Sequence, residues 1–328
     1  MAFGIPHLDV RLELSIRSDM KRVEDLLLLQ IQGDYPLVIE TSRHLVEAGG
    51  KRLRPLLALL AAQFGDSKRP EIIQAAVVCE LTHLATLYHD DVMDEAPLRR
   101  GVESANARWN NTVAILTGDY LFAKASDLLA DLGPEAVRLQ ARTFERLVIG
   151  QITETQGSTL GLSALDHYLH VVADKTGSLI ATSARFGALL AGAPSDVVEA
   201  LTRFGEKIGV VFQLADDVID IESESNESGK TPGTDLREGV PTLVTLFVLT
   251  SEDPADDSLK EILSAPIKDE SVVASTLTEL RSHKAMAASK ELLHKYADGA
   301  QLELKDLPDG AAKRALIELC ETIITRTS

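Results

Sequence analysis

Two short acidic segments of the chain have the residue types and the spacing for metal chemistry. Both follow the pattern D-D-x-x-D, with Asp90, Asp91 and Asp94 in the first segment and Asp216, Asp217 and Asp220 in the second. Residues four positions apart share one face of a helix, so the first and last aspartates of each segment project together. Carboxylates held this close repel one another unless a cation lies among them. Oxygen ligands that leave room for substrate phosphates suit magnesium, so both segments predict magnesium sites.

The repetition of the acidic pattern favours a cavity over a surface. A single copy would more often be an exposed acidic turn. Here each copy follows an apolar run, LTHLATLY or VVFQLA, and charges at the end of a buried helix are costly unless they line a cavity. Three divalent cations would neutralise the six carboxylates, and we therefore predict three Mg²⁺ ions in the active site.

Cationic residues in other short segments indicate an anionic ligand. The segment GGKRLRP places Lys51, Arg52 and Arg54 at the start of a predicted helix, where backbone N–H groups and cations favour anions. Taken alone, this segment would more often be a solvated basic patch. Further cations occur in RRG, in KTG and in a long polar loop, namely Arg99, Arg100, Lys175 and Lys230. Metal ligands together with these cations point to diphosphate chemistry.

The overall composition argues against several classes of protein. The 328 residues include 33 lysines and arginines against 50 aspartates and glutamates, which gives a net charge of −17. This balance argues against a nucleic-acid partner and against a polybasic membrane anchor. The two cysteines cannot form a disulfide framework, which favours a cytoplasmic location. We expect no transmembrane segment, because no apolar run approaches roughly 18 residues. We expect no secretory signal, because residues 1–17 contain no apolar stretch of about 7–15 residues.

Apolar periodicity favours helix along most of the chain, and strand-like alternation is nearly absent. A capping-box pattern opens one helix at Ser163. Other helices are predicted over residues 55–63, 71–89, 113–132, 205–221, 272–297 and 310–326. Residues 222–240 are polar and aperiodic, and their composition alone is equally consistent with an interdomain linker. Since the composition is similar on both sides, we predict one all-α domain over residues 1–328, with an active-site loop at 222–240.

The combination of motifs resembles the all-trans prenyl diphosphate synthases. The matching segments are GGKRLRP, HDDxxD followed by RRG, GDYL, KTG, and FQLADDxxD with GKTPGTD, in that order between residues 49 and 242. The resemblance implies an isoprenoid-synthase-type helical bundle around a central cavity, usually a homodimer. It also implies magnesium-dependent head-to-tail joining of isopentenyl diphosphate to an allylic prenyl diphosphate, with release of pyrophosphate.

The resemblance further assigns roles to the motif residues. It implies that Asp90, Asp94 and Asp216 bind magnesium directly, while Asp91, Asp217 and Asp220 orient these ligands or the metal-bound waters. The residues that match allylic diphosphate contacts are Arg99, Lys175 and Lys230. The residues that match the metal-free isopentenyl diphosphate site are Lys51, Arg54, His83 and Arg100. Thr176 and Gln213 match dipoles that stabilise an allylic carbocation. Without the resemblance, His83 would more often be a structural histidine of a buried helix.

Product length depends on the depth of the cavity. Ala85 and Thr86 precede Asp90 by five and four residues, where short-chain members of the family carry an aromatic floor. Ser126 and Leu129 on the following helix are candidates for the lower part of the tunnel. Because these residues leave the tunnel open, we predict a geranylgeranyl or longer product, with the hexaprenyl-to-decaprenyl range favoured.

Two positions of the chain differ from those of the shorter-chain relatives. Thr234 and Val240 stand where many relatives have lysine, which removes two cations that could close the loop on the ligand.

A class I terpene cyclase would usually lack the GGKRLRP segment and carry a different second metal motif. A catalytically silent or regulatory subunit of a two-chain synthase would be expected to lose an acidic segment, and both are present here. The synthase is the favoured prediction.

Overall fold

The computed structural model describes residues 5–33, 35–157, 161–223 and 232–325, so Lys230 lies outside the described residues. The chain forms two compact units. The first comprises Met1–Glu145, Leu179–Gly205 and Asp306–Leu316, and the second comprises Arg146–Ser178, Glu206–Lys305 and Ile317–Ser328. The single domain over residues 1–328 stays a prediction.

Helices form nearly all of the regular structure of the described residues, which confirms the all-α prediction. In chain order they are α1 (Val10–Gln30), α2 (Pro36–Glu47), α3 (Leu53–Ala61), α4 (Glu71–Met93), α5 (Ala105–Arg108), α6 (Asn111–Leu132), α7 (Pro134–Gln156), α8 (Ala164–Val172), α9 (Ser178–Leu190), α10 (Ser195–Glu222), α11 (Thr234–Glu238), α12 (Leu243–Leu249), α13 (Asp257–Leu263), α14 (Glu270–Ser282), α15 (Lys284–Glu303) and α16 (Ala311–Thr325). A π-helical turn at Ala173–Gly177 joins α8 to α9. Two short strands, β1 (Leu98–Arg99) and β2 (Val102–Glu103), pair antiparallel. Within the described ranges, no helix has both the length and the apolar character required to span a membrane.

Helix α4 lies in the core of the first unit and packs against α1, α3 and α6. Apolar residues are buried around its whole circumference, as expected of a central helix. Gly118 of α6 admits the imidazole of His89, because a Cβ atom at this position would lie only 2.3 Å from His89 Nε2. The same nitrogen lies 3.1 Å from the carbonyl oxygen of Ile115. This close approach fixes the end of α4 that carries the first acidic motif.

Helix α10 carries the second acidic motif near its end. Arg281 of α14 caps this end, because its Nε and Nη2 atoms donate to the carbonyl oxygens of Ile221 and Ser223 at 2.9 and 2.8 Å. A cation at the C-terminus of a helix satisfies carbonyls that have no partner within the helix. Arg281 thus fixes the point at which the chain leaves α10.

Several helix bounds differ from the predicted ones. The single helix predicted over residues 272–297 is wrong, because His283 has extended backbone (φ −76°, ψ 148°) and separates α14 from α15. Its Nδ1 atom accepts a hydrogen bond from the Ala285 N–H at 3.1 Å, as a capping side chain does. Helix α4 continues to Met93, so the first acidic motif occupies its last turn. The predicted loop at 222–240 contains the short helix α11.

Candidate active site

The first acidic motif divides its carboxylates between the protein interior and its surface. Asp91 is fully buried, and its Oδ1 atom accepts a hydrogen bond from Arg99 Nε at 2.5 Å. Burial raises the pKa of the Asp91 carboxyl, and the Arg99 guanidinium opposes this shift. Asp90 is half-buried and Asp94, the C-terminal cap of α4, is exposed. The structure thus buries Asp91 and leaves Asp90 and Asp94 more accessible, and the roles of the three residues stay predictions.

The second motif shows the same division. Asp217 is buried and accepts hydrogen bonds from the Tyr168 hydroxyl, from Gln213 Nε2 at 3.0 Å and from the Leu243 N–H at 3.1 Å. Burial raises the pKa of the Asp217 carboxyl to about 6, although these hydrogen bonds favour the charged form. Asp216 is half-buried. The two carboxylate oxygens of Asp217 thus accept hydrogen bonds from three donors, which hold the side chains of Tyr168 and Gln213 against α10.

Asp220 anchors the end of the polar loop. Its Oδ1 and Oδ2 atoms accept hydrogen bonds from the backbone N–H groups of Thr234 and Asp235, both at 3.2 Å. The Gly233 N–H donates to the Asp220 carbonyl oxygen at 2.9 Å. Thr234 therefore contributes a backbone donor at the position where many relatives have lysine. Burial raises the pKa of the Asp235 carboxyl well above its usual range, and Asp220 and Asp217 add to this shift.

A divalent metal fits the two motifs by donor chemistry. All six candidate ligands are carboxylates, and Asp91 Oδ2 is buried without a hydrogen-bond partner. Across the part of the chain that the structure describes, no three histidine, cysteine, aspartate or glutamate side chains converge into a closed metal site. Magnesium bound with a phosphate substrate needs only one or two protein carboxylates, because substrate oxygens and water complete its shell. The motifs therefore suit a metal that binds together with a diphosphate.

The KTG segment forms the π-helical turn between α8 and α9, a geometry that is frequent at functional sites. Lys175 Nζ donates to Glu154 Oε2 of α7 at 2.7 Å. Thr176 Oγ1 lies 3.5 Å from Gln213 Oε1, at the long limit of a hydrogen bond. The other amide atom of Gln213 is bound to Asp217. The structure thus brings Thr176 and Gln213 to the second acidic motif, while Lys175 of the same turn pairs with Glu154.

In the GGKRLRP segment, one arginine is turned into the protein. Arg52 has left-handed backbone (φ 48°, ψ 35°), and its guanidinium is buried. Its Nε atom lies 2.6 Å from Glu24 Oε1 of α1, and its Nη1 atom lies 2.8 Å from Glu80 Oε1 of α4. Its Nη2 atom donates to the Val46 carbonyl oxygen at 3.0 Å. Lys51, the preceding residue, is exposed.

The remaining isopentenyl candidates of the first unit are Arg54, His83 and Arg100. We call these three residues the cation cluster after its two guanidinium groups. Arg54 Nε is buried without a hydrogen-bond partner, and burial lowers the pKa of this side chain to about 10. Arg100 Nη1 donates to the Leu45 carbonyl oxygen at 2.9 Å. A Cβ atom at Gly50 would lie 2.9 Å from Arg100 Cζ, so glycine there admits the guanidinium. The structure therefore brings RRG to the GGKRLRP turn.

His83 stays neutral in this cluster, which predicts a specific pH dependence of stability. Burial lowers the pKa of His83 well below its usual range, and Arg54, Arg100 and Arg99 add to the shift. Below pH ~6.5 the unfolded chain binds a proton that the folded chain does not, so stability falls as the pH falls, by at most ~1.4 kcal/mol per pH unit. We expect His83→Gln to flatten the change in the free energy of unfolding between pH 7.5 and pH 5.5, measured by urea titration. If the free energy of unfolding changed equally with pH in the wild type and in His83→Gln, the prediction would be contradicted, because the two proteins share all other histidines.

The four predicted chain-length residues have different environments. Ala85 is fully buried and Thr86 nearly so, with Thr86 Oγ1 bound to the His83 carbonyl oxygen at 2.8 Å. On α6, Leu129 is buried, whereas Ser126 is exposed and donates to the Phe122 carbonyl oxygen. Leu129 and Ser126 therefore differ in burial, and within this chain they do not line one common buried surface.

Sequence reasoning missed the carboxylates that hold the cations in place. Glu80 is buried in the otherwise apolar middle of α4 and lies against Arg52, and Glu154 pairs with Lys175. The signal for Glu80 was present, because a lone charge in a fully apolar helix needs a partner. The hydroxyl of Tyr168 in α8 donates a hydrogen bond to Asp217. Nothing in the local sequence indicates that contact.

Comparison with known proteins identifies the family of this chain. The family model for polyprenyl synthetase matches residues 35–296. The chain belongs to the polyprenyl synthetase family. The chain is 47% identical over 324 residues to a nonaprenyl diphosphate synthase of Mycobacterium tuberculosis (strain ATCC 25618 / H37Rv), covering 98% of this chain and 97% of the relative. It is 37% identical over 307 residues to component 2 of a heptaprenyl diphosphate synthase of Geobacillus stearothermophilus, covering 93% and 94% of the two chains.

A solved structure is similar over 98% of this chain. It is the geranylgeranyl pyrophosphate synthase of Corynebacterium glutamicum, complexed with calcium and isoprenyl diphosphate. The TM-score is 0.87, the sequence identity is 43%, and the match covers 98% of this chain and 99% of that one. The present protein is accordingly a prenyltransferase with the all-α isoprenoid-synthase fold, as the motifs predicted.

Proposed function

We propose that the protein catalyses magnesium-dependent head-to-tail condensation of isopentenyl diphosphate with an allylic prenyl diphosphate, and that it makes a long-chain all-trans polyprenyl diphosphate. The observation that carries this proposal is the cation cluster of Arg54, His83 and Arg100. The acidic motifs alone would serve any enzyme that ionises an allylic diphosphate. A separate cluster without carboxylate ligands provides for a second diphosphate, which a cyclase does not need.

Isopentenyl diphosphate binds at the cation cluster in this proposal. Arg54 has a buried Nε atom without a hydrogen-bond partner, and Arg100 adds a second guanidinium held by backbone carbonyls. Fork-shaped guanidinium donors match the oxygens of a diphosphate. Neutral His83 can donate one hydrogen bond without adding a charge. Exposed Lys51 supplies a further cation at the rim.

The allylic diphosphate is assigned to Arg99, Lys175, Lys230 and the aspartates. Bound Mg²⁺ would stabilise the negative charge of the departing pyrophosphate. Asp90, Asp94 and Asp216 are the proposed direct ligands, while Asp91, Asp217 and Asp220 orient the site through their contacts with Arg99, Gln213 and the start of α11. When the diphosphate binds, Lys175 Nζ would exchange its contact with Glu154 for a phosphate oxygen.

The proposed reaction proceeds without a covalent intermediate between the substrate and the protein. The allylic C–O bond breaks, and its electron pair leaves with pyrophosphate. The Thr176 hydroxyl and the Gln213 amide oxygen are proposed to stabilise the allylic cation, and the amide nitrogen of Gln213 is already committed to Asp217. The isopentenyl double bond attacks the cation, a C–C bond forms, and the departing pyrophosphate takes the proton. The chief contribution of the chain is to position both substrates.

A long product is proposed because small side chains occupy the positions before the first motif. We expect Thr86→Phe to shorten the main product by at least one isoprene unit, because an aromatic ring there would block the growing tail. Each buried CH₂ group of the tail contributes about 0.8 kcal/mol, so extension is favourable until such a block is met. Products would be dephosphorylated and sized by chromatography. The matched variant Thr86→Val should keep the wild-type length, and an unchanged product from Thr86→Phe would contradict the tunnel assignment.

The proposal also includes a homodimer in the cytoplasm, without a nucleic-acid partner. A silent or regulatory subunit of a two-chain synthase is the second candidate, because one relative is named as a component of such an enzyme. Both acidic motifs are present here, which favours the catalytic role.

The experiment that tests the proposed function is a product assay. The purified chain is incubated with Mg²⁺, labelled isopentenyl diphosphate and farnesyl diphosphate, with parallel reactions started from geranyl and dimethylallyl diphosphates. A series of products ending at one long prenol is the expected result. A twenty-carbon end product would retain the reaction but contradict the hexaprenyl-to-decaprenyl range. No incorporation from any of the three primers would contradict independent catalysis and favour the subunit role.

A further inference from the structure

Three residues of α7 lie at intervals of four and face the KTG turn. They are Arg146, Gly150 and Glu154, and residues at this spacing share one face of a helix. Arg146 contacts Asp174, Gly150 approaches the backbone of Lys175, and Glu154 binds Lys175 Nζ. The π-helical turn therefore lies along a single stripe of α7.

Arg146 joins the turn to a second helix. Its Nε atom donates to Asp174 Oδ1, and its Nη2 atom donates to Glu206 Oε1 of α10. Asp174 is only 7% exposed, and its other carboxylate oxygen lies 3.4 Å from His170 Nε2. The Asp174 carbonyl oxygen also accepts a hydrogen bond from Ser178 Oγ at 2.6 Å. A nearly buried carboxylate with these partners fixes the first half of the turn.

Gly150 fixes the separation between α7 and the turn. A Cβ atom at this position would lie 2.8 Å from the Lys175 backbone nitrogen and 3.0 Å from Asp174 Cβ. Only glycine allows the backbones to approach this closely. A π-helical turn is rare and persists where surrounding contacts determine it. Arg146, Gly150 and Asp174 supply those contacts.

From these contacts we propose that Arg146 and Asp174 are positioning residues, which hold the π-helical turn so that Lys175 and Thr176 reach the departing diphosphate and the allylic cation. This inference rests on the proposed function. Neither residue touches the reacting atoms. The pair acts through the backbone of Ala173–Gly177, and its loss displaces the ammonium and the hydroxyl that the turn carries.

The test compares Asp174→Asn and Arg146→Gln with a matched control on the same helix. Arg142→Gln removes an exposed guanidinium four residues before Arg146. We expect the two test variants to lower kcat by ~10- to 100-fold, because a shift of about 1 Å at a positioned group costs up to ~100-fold. The KM for isopentenyl diphosphate should stay within about twofold, and Arg142→Gln should retain wild-type kcat. Arg146→Lys should recover part of the lost kcat, because lysine keeps the positive charge but cannot donate to Asp174 and Glu206 with two nitrogens of one planar group.

Folding is checked by circular dichroism and by thermal unfolding of each variant. If the Asp174 and Arg146 variants fail to fold, Gly150→Ala provides the same readout, because its methyl group displaces the turn without removing a charge. A kcat equal to that of Arg142→Gln, or an equal change in both KM values without a change in kcat, would overturn the inference. Wild-type product formation in the same assay tests the proposed function, so failure of the inference is distinguishable from failure of that function.

Discussion

Replacing Asp90 or Asp216 by alanine is expected to lower kcat by about 1,000-fold or more and to leave the fold intact, since metal ions contribute several kcal/mol to transition-state stabilisation and 1.36 kcal/mol corresponds to tenfold in rate. Both carboxylates are half-buried, unlike their inward-facing neighbours Asp91 and Asp217. Turnover of farnesyl diphosphate would be measured at saturating Mg²⁺, together with the far-ultraviolet circular dichroism of each variant.

The matched control for this prediction is Asp127→Ala, which removes an exposed carboxylate from α6. This variant should keep wild-type kcat, because a general loss of negative charge from a chain at −17 does not affect the site. Raising the Mg²⁺ concentration should not restore Asp90→Ala or Asp216→Ala if the lost oxygen holds a metal in the transition state. Full activity of either variant would contradict the metal assignment of its motif.

Arg52→Ala is expected to lower the free energy of unfolding by about 3–5 kcal/mol, which is typical when one partner of a buried ion pair is removed. Glu80 would be left buried and uncompensated, because its side chain is 2% exposed and Arg52 Nη1 lies 2.8 Å away. Glu24 contributes less, since it is 36% exposed and water screens it. Urea unfolding monitored by circular dichroism measures the difference.

The control for Arg52 is Arg17→Ala, which breaks an exposed ion pair with Glu13 one turn away on α1. This change should cost no more than about 0.5 kcal/mol, as exposed pairs at this spacing do. The double variant Arg52→Ala with Glu80→Gln should be more stable than Arg52→Ala alone, because the buried charge is then removed. Equal stabilities of Arg52→Ala and Arg17→Ala would show that the Arg52 network does not stabilise the fold.

The local pattern was sufficient for α4 and α10, the two helices that carry the acidic motifs, whereas it did not predict α1, α2, α7 or α9. The apolar run before Asp90 predicted α4, and the apolar periodicity over residues 113–132 predicted α6. The sequence did not predict the break at His283, because the apolar pattern does not mark it. The cap at this break depends on the side-chain rotamer of His283, which accepts a hydrogen bond from the Ala285 N–H. Sequence periodicity reports which residues are buried, and it does not report where a backbone turns.

Pairings between distant residues could not be predicted. The inward orientation of Arg52 depends on left-handed backbone and on carboxylates 28 residues away on either side. The anchoring of the loop by Asp220 depends on backbone N–H groups of α11, which carry no signal in the side-chain sequence. In both cases the residue type was informative, but the partner was set by tertiary structure.

The π-helical turn at Ala173–Gly177 also resets the phase of the helix that contains it. In an uninterrupted α-helix, Thr176 would continue the face of Val172 one turn later. With one extra residue, Gly177 takes that place, and a Cβ atom there would lie 3.8 Å from the Val172 carbonyl oxygen. Each residue of an α-helix turns by about 100°, so the extra residue releases Thr176 from the packed face. Deletion of one residue within the turn would therefore rotate Gly177 and Ser178 by about 100° relative to α8, rather than merely shorten a connection.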